Sequence, residues 1–386
     1  MTDAIDRDAP VGVVGAGAMG AGIAQVAAVA GHPVTLYDTR PGAAESARAS
    51  IAKSLNRFVD KGKLHPDEAV ATADRVVSGD MSALSGAPLV VEAVVEDLAV
   101  KRSLMAELES RCEEATILAT NTSTISIDAI AEGLRRAERL CGMHFFNPAP
   151  LMRLVEVPTG ARTSPEVAAI VRATAEAWGK TAVVCASTPG FIVNRVARPF
   201  YGEAQRAADE GLASPRRIDG AMRAAGFRMG PFELADLIGN DVNLAATISV
   251  WEQTGYDPRY EPTRSQRELV EAGWLGRKTG SGWYDYPDPE PITPRPDEPI
   301  ALRILAMLVN EAAALADRGE AAPADVDIAM QLGTNYPLGP LEWGDQIGAP
   351  KIVALLDELA KAHPTGRYRV AERLRRAATT GASLRS

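Results

Sequence analysis

Val11-Gly12-Val13-Val14-Gly15-Ala16-Gly17-Ala18-Met19-Gly20 is the stretch that decides the fold. A strand-like, mostly apolar run enters Gly15, Gly17 and Gly20, and an Ala-rich helical pattern follows to Ala30. A second apolar run, Val34-Thr35-Leu36-Tyr37, ends in Asp38, 18 residues past Gly20. Strand, tight glycine turn, helix, strand and acid in this order are the parts of a dinucleotide cradle. Gly15 permits the sharp turn, Gly17 lets a pyrophosphate approach the backbone, and Gly20 lets the helix pack close to the strand. Ala18 and Met19 open that helix, whose N terminus turns N–H groups and positive partial charge toward phosphates. Asp38 can accept both hydroxyls of a ribose, and its charge repels a 2′-phosphate. The cofactor expected is therefore NAD rather than NADP.

The 386 residues, 46% hydrophobic and 24% charged, have the composition of two or three globular domains. A net charge of −9 argues against binding nucleic acid through its phosphates. Cys112, Cys141 and Cys185 are too few and too far apart for a disulfide framework or a zinc site, so reduced thiols and no metal are expected. Met1 to Pro10 has no apolar core of a secretory signal, and no uninterrupted apolar run reaches the roughly 18 residues of a membrane span. These features predict a cytoplasmic protein.

Beyond Asp38 the pattern predicts a helix over about 41–63, then strands at Arg75–Val77, Leu89–Val95, Thr116–Thr120, Leu140–Phe146, Leu154–Val157 and Thr181–Cys185, with helices between them. Alternation of this kind gives an α/β fold with a Rossmann-type doubly wound parallel sheet over residues 1–186. Ligands on such sheets bind at the carboxyl ends of the strands. Ser123, His144 and Asn147 are read as lying just past strand ends on that side. Helical patterns dominate 187–286, including one long amphipathic stretch from Ile192 to Glu210. Residues 287–299 carry six prolines among acids and read as a stiff, solvated linker.

Residues 300–386 repeat the helical domain. Pro215, Ile218-Asp219 and Ala221-Met222 recur as Pro323, Val326-Asp327 and Ala329-Met330, an offset of 108. Gly230-Pro231, Glu233, Asp236 and Gly239 recur as Gly339-Pro340, Glu342, Asp345 and Gly348 at 109. Agreement over so many positions marks a duplication, so two copies of an all-α domain follow the sheet. The second copy is degenerate: Leu302 stands where Asn194 would, and nothing matches Pro189-Gly190-Phe191.

Of the four histidines, His144 stands apart. It closes an apolar run, and Glu156 follows twelve residues later on the next one. Adjacent strands could bring the carboxylate to Nδ1–H and leave Nε2 as a base. The residues alone leave this open beside an ordinary structural histidine. Lys53, Arg57, Lys61 and Lys63 crowd eleven residues and read either as a solvated helix face or as a phosphate site.

Gly15–Gly20, Asn121-Thr122-Ser123, His144-Phe145-Phe146-Asn147-Pro148, Leu154-Val155-Glu156-Val157, Thr188-Pro189-Gly190-Phe191-Ile192-Val193-Asn194-Arg195 and Gly230-Pro231-Phe232-Glu233-Leu234 together resemble the 3-hydroxyacyl-CoA dehydrogenases. The resemblance covers about residues 10–286, and the duplicated tail looks like that of longer bacterial members. It implies oxidation of an (S)-3-hydroxyacyl-CoA by NAD. His144 would take the hydroxyl proton, Glu156 would orient it, and Ser123 and Asn194 would hold substrate oxygens. Glu96, Lys101, Asn147 and Lys278 match positions that contact NAD, and Ser54, Lys61 and Ser123 match positions that contact coenzyme A. The active site would lie in the cleft between the sheet domain and the first helical domain. Short members pair as dimers through the helical domain, so the chain is expected as a monomer with an internal pseudo-dimer or as a homodimer. Gly226–Leu234 with Asp236–Gly239 and Asp241-Val242-Asn243 looks like the members of phenylacetate breakdown, which oxidise 3-hydroxyadipyl-CoA. A short-chain 3-hydroxybutyryl-CoA enzyme of fatty acid metabolism is the other choice. A sugar-acid dehydrogenase of the related gulonate branch would share the fold but use no coenzyme A, and Phe145-Phe146 after His144 and the Lys53–Lys63 cluster argue against it. A non-catalytic NAD-binding protein would tolerate loss of His144, Glu156, Ser123 or Asn194, and all four are present.

Overall fold

The computed structural model describes residues 3–286 and 290–386, so the first prolines of the expected linker, at 287 and 289, lie outside the described residues. The chain forms two compact units, Met1–Thr188 and Pro189–Ser386.

In the first unit six short strands form one parallel sheet: β1 (Val11–Val14), β2 (Val34–Tyr37), β3 (Val76–Ser78), β4 (Leu89–Glu92), β5 (Ile117–Thr120) and β6 (Leu140–Gly142). Their order is β3-β2-β1-β4-β5-β6, the Rossmann arrangement. Strands β1, β4 and β5 are buried along their whole length, as a sheet covered on both faces requires. The helices are α1 (Ala18–Ala30), α2 (Ala43–Asp60), α3 (Pro66–Asp74), α4 (Leu98–Arg111), α5 (Ile127–Ile130) and α6 (Pro165–Ala177). A second, three-stranded sheet follows, made of β7 (His144–Phe145), β8 (Leu154–Thr159) and β9 (Thr181–Ala186) in that order.

Two strand expectations need correction. Leu140–Phe146 is not one strand. It breaks at Met143 because Leu140–Gly142 completes the parallel sheet while His144 and Phe145 pair antiparallel with β8. His144 therefore opens a strand instead of closing one. The strand expected over Leu89–Val95 stops at Glu92, whose carboxylate draws in the Val94 N–H at 2.7 Å and bends the chain out of the sheet.

The second unit is all helical: α7 (Val193–Val196), α8 (Arg198–Asp209), α9 (Pro215–Ala224), α10 (Pro231–Ile238), α11 (Asn240–Gln253), α12 (Arg264–Glu271), α13 (Glu298–Asp317), α14 (Pro323–Thr334), α15 (Pro340–Ile347), α16 (Ala349–Ala362) and α17 (Glu372–Thr380). The single helix expected from Ile192 to Glu210 is two. Pro199 has no N–H to continue a helix from α7, and it fits the first turn of α8. Helix α13 has the length and mean hydropathy, 1.6, of a membrane span, but 83% of that window is buried inside the unit, as its central helix. The described part of the Pro-rich segment docks on α9: the Arg295 N–H donates to the Gly220 carbonyl, and Arg217 pairs with Asp297.

The duplication appears in three dimensions as repeated hydrogen bonding. The Asp219 carboxylate accepts the N–H groups of Phe232 and Glu233, and Asp327 accepts those of Leu341 and Glu342. A Cβ on Gly230 would lie 2.2 Å from Asp219, and one on Gly339 would lie 2.1 Å from Asp327, so both copies need glycine there. The copies also grip each other reciprocally. Arg195 donates to Glu311 at 2.9 Å and to Tyr260 at 3.0 Å, and Tyr260 in turn donates to Glu311. At an offset of 108, Arg303 donates to Glu203 at 2.6 Å and to Tyr368 at 2.9 Å, and Tyr368 donates to Glu203 at 2.7 Å. A cluster in which each copy supplies the arginine and tyrosine for the other's glutamate is what a two-fold interface produces.

Candidate active site

The glycine turn sits at the carboxyl end of β1. Gly15 has φ 101°, and a Cβ there would come within 2.4 Å of the Ala93 carbonyl oxygen. A Cβ on Gly20 would fall 1.7 Å from the Gly15 oxygen. Gly17 differs, because nothing of the protein lies within 4 Å of where its Cβ would be. Glycine is needed at 15 and 20 for the turn itself, whereas at 17 it leaves open space beside the start of α1. That helix start carries no side-chain cap and no acid in its first turn, so the N–H groups of Ala18 and Met19 are presented to a ligand. The cradle thus fits a dinucleotide pyrophosphate.

Asp38 lies beside this turn and accepts the Ala16 N–H at 2.7 Å. Arg40, which the sequence reading passed over, holds the same carboxylate through Nε and Nη2, both at 3.1 Å. The Arg40 bonds, with the backbone donors, pull the Asp38 carboxyl down to about 2, so it is ionised throughout the neutral range. The signal for Arg40 was its position two residues past the acid.

Next along the sheet edge is a polar hub. Glu92 is fully buried at the end of β4 and takes Lys101 Nζ at 2.6 Å and Thr120 Oγ1 at 2.6 Å. Lys101, 1% exposed, also lies 3.3 Å from Glu96. Expected as a cofactor contact, Lys101 stands beneath the site and braces Glu96. Oε1 of Glu96 gathers the loop after β5: Thr122 Oγ1 at 2.7 Å, the Ser123 N–H at 2.8 Å and the Thr124 N–H at 3.1 Å. Burial pushes the Glu96 carboxyl up, but Lys101 and these donors outweigh it, and the group rests below the usual carboxylate range. Ser123 is thereby fixed, its hydroxyl 3.3 Å from Glu96. Glu92 was missed in the sequence, where the trace it left was one acid ending an apolar strand nine residues before a lysine.

His144 and Glu156 face each other in the β7–β8 register. Nδ1 of His144 lies 2.7 Å from Glu156 Oε2, with the histidine 5% exposed and the glutamate fully buried. The Phe146 ring packs 4.6 Å from the imidazole. The Asn121 side chain accepts the Phe145 N–H at 2.8 Å, which ties the end of β5 to the strand that carries His144. Asn147 is exposed in the turn after β7. Lys180 Nζ closes that turn by donating to the Ala149 and Met152 carbonyls.

Ser54 lies on α2, with Lys61 just past its end. Lys53, Arg57, Lys61 and Lys63 are all exposed, and among the described residues none is ion-paired, so their charge faces solvent. The remaining candidates belong to the second unit. Asn194 lies in α7, half-buried, three residues after the Phe191 backbone at φ 47°. Lys278 Nζ pairs with Asp241 at 2.5 Å.

Residues 10–188 match the 3-hydroxyacyl-CoA dehydrogenase NAD binding domain, and residues 190–286 and 300–385 match the 3-hydroxyacyl-CoA dehydrogenase C-terminal domain. The chain is 38% identical to a 3-hydroxyadipyl-CoA dehydrogenase of Escherichia coli K12, over 95% of this chain and 97% of that one. It is 44% identical to a probable 3-hydroxybutyryl-CoA dehydrogenase of Bacillus subtilis, over 71% of this chain and 96% of that one. Among solved structures, a 3-hydroxybutyryl-CoA dehydrogenase from Escherichia coli K12 superposes with a TM-score of 0.93 at 38% identity, covering 96% of this chain and 98% of that one.

Proposed function

The chain belongs to the 3-hydroxyacyl-CoA dehydrogenase family, and from that premise we propose that it oxidises (S)-3-hydroxyadipyl-CoA to the 3-oxo thioester with NAD. NAD-dependent oxidation of a 3-hydroxyacyl-CoA is the reaction of the family. The buried His144–Glu156 pair carries the assignment of roles. With Nδ1–H donated to Glu156, Nε2 is the nitrogen that takes the proton of the 3-hydroxyl. The Glu156 carboxylate offsets the charge that develops on the ring, already in place before the step. NAD, held by the Gly15–Gly20 turn and Asp38, would supply the acceptor for the hydride of C3. Ser123, held at its backbone N–H by Glu96, turns its hydroxyl from Glu96 to donate to a substrate oxygen and holds the reacting geometry. Asn194 is assigned the same task.

The acyl group is read from similarity that runs the whole length of the Escherichia coli 3-hydroxyadipyl-CoA enzyme, where the Bacillus relative covers 71% of this chain. The fold match to a 3-hydroxybutyryl-CoA dehydrogenase favours the second reading, a short-chain substrate. The proposal includes a place in phenylacetate breakdown and a cytoplasmic setting, in keeping with the free thiols of Cys112, Cys141 and Cys185. Following NADH absorbance with 3-hydroxyadipyl-, 3-hydroxyhexanoyl- and 3-hydroxybutyryl-CoA, and with gulonate, tests the reading. The highest kcat/KM is expected for the adipyl thioester, and turnover confined to gulonate would overturn the whole assignment.

Two predictions attach to the binding sites. Hydrogen bonds to a charged group are worth about 1.5–3 kcal/mol. Asp38→Ala should therefore weaken NAD by roughly ten- to a hundred-fold and narrow the preference over NADP, as titration with both cofactors would show. Equal use of NAD and NADP by the unmutated protein would refute this. Lys61→Glu should raise KM for acyl-CoA, with the effect shrinking as salt rises, and should change little for a truncated thioester. An unchanged KM at low salt would make the Lys53–Lys63 cluster a solvated helix face only.

A further inference from the structure

Arg198 opens α8 one helical turn after Asn194 and is 8% exposed. Its Nε donates to the Asn194 carbonyl at 2.9 Å, and Nη1 lies 3.3 Å from Thr247 Oγ1 and 3.4 Å from the Asn243 carbonyl. The guanidinium stands 5.1 Å from the centre of the Tyr201 ring. The other buried arginines of this unit, Arg195, Arg206, Arg259 and Arg303, each have a glutamate beside them. Arg198 does not: among the described residues, the ionisable groups that act on it are the phenols of Tyr201 and Tyr336. A buried cation without a counter-ion is costly, and proteins seldom keep one without a use.

Two more buried donors belong to the same neighbourhood. Asn243 is 2% exposed, its Oδ1 is taken by Gln266 Nε2 at 2.8 Å, and its Nδ2 has no partner. The Tyr336 hydroxyl, also buried, has none either. A guanidinium, an amide nitrogen and a phenol, all donors and with no acid among them, are the complement of a carboxylate.

We propose that Arg198, with Asn243 and Tyr336, forms the subsite that receives the terminal carboxylate of the acyl chain. This rests on the reading that the substrate is a dicarboxylyl thioester. Arg198 stands directly against Asn194, the residue assigned to a substrate oxygen, because its Nε reaches the Asn194 carbonyl at 2.9 Å. Tyr336 comes from the second copy of the helical domain, so the tail supplies part of the selectivity.

The test compares kcat/KM for 3-hydroxyadipyl-CoA and 3-hydroxyhexanoyl-CoA, equal in length and differing in the terminal carboxylate, using the full-length protein. The unmutated enzyme favours the adipyl substrate. In Arg198→Met the ratio of adipyl to hexanoyl kcat/KM falls by about 10- to 100-fold, mainly through KM. In Tyr336→Phe, which removes one unpartnered oxygen and leaves the packing intact, it falls by about 3- to 10-fold. A ratio that stays constant in Tyr336→Phe and Arg198→Met, or parallel losses on both substrates, overturns the subsite. If Arg198→Met does not fold, Tyr336→Phe decides alone. An unmutated enzyme without preference for the adipyl thioester overturns the substrate reading itself, a result separate from that of the variants.

Discussion

His144→Ala lowers turnover by about 10²- to 10⁴-fold, the usual contribution of a positioned general base, while affinity for NAD stays within a few-fold. The separation follows from the fold. The cofactor cradle is built from β1, α1 and the end of β2, whereas His144 sits on a different sheet and is held there by β8. Glu156→Gln keeps the shape of that contact and removes its charge. The imidazolium that forms then loses its counter-charge, so turnover falls. Steady-state rates for both variants, with NAD binding measured separately, check this. A fully active His144→Ala protein would end the assignment.

The residues that make this prediction were legible in the sequence because each depends on local order along the chain. Gly15, Gly17, Gly20 and Asp38 follow from the spacing of one strand–helix–strand unit. The meeting of His144 and Glu156 follows from two short strands joined by a turn. What the sequence hid was set by partners far along the chain. Glu92 ends β4 early by drawing in the Val94 N–H, with its carboxylate held in the interior by Lys101 and Thr120 from α4 and β5. Leu140–Phe146 splits because its two halves pair with different sheets. Apolar periodicity reports burial, not which neighbour does the burying, so it could show neither event.

Arg198 was hidden for a related reason. The stretch from Ile192 to Glu210 read as one amphipathic helix, on which an arginine passes for a solvated position. Only the break at Pro199 and the packing of α11 reveal that it is buried. The contacts between the two copies, by contrast, were within reach of the sequence. The offset of 108 that revealed the duplication also carries Arg195, Glu203 and Tyr260 onto Arg303, Glu311 and Tyr368. The two copies keep the same buried arginine, glutamate and tyrosine of their interface, and differ where Leu302 replaces Asn194, the residue proposed to hold substrate.

Ending the chain after Tyr286 is expected to yield a protein that dimerises, aggregates or melts at a lower temperature, although its cofactor residues are complete. The cut removes Glu311 from Arg195 and Arg259, and Arg303 and Tyr368 from Glu203, leaving charges that had been paired in a buried cluster. Breaking a buried pair by removing one partner costs about 3–5 kcal/mol. It also uncovers an apolar surface: Phe227 stacks on Trp343 at 5.1 Å, and Phe200 meets Tyr336 at 5.7 Å. The shortened chain nevertheless keeps Arg195, Glu203 and Tyr260, so two such chains could offer each other what the tail now supplies, around a two-fold axis. In the full-length protein the same contact is intramolecular and does not depend on concentration. The shortened form should therefore show a light-scattering mass and a melting temperature that rise with protein concentration, with dilution separating it into unstable single chains. A shortened protein that stays monomeric, soluble and as stable as the full chain would show that the second copy serves some purpose other than that of a built-in partner.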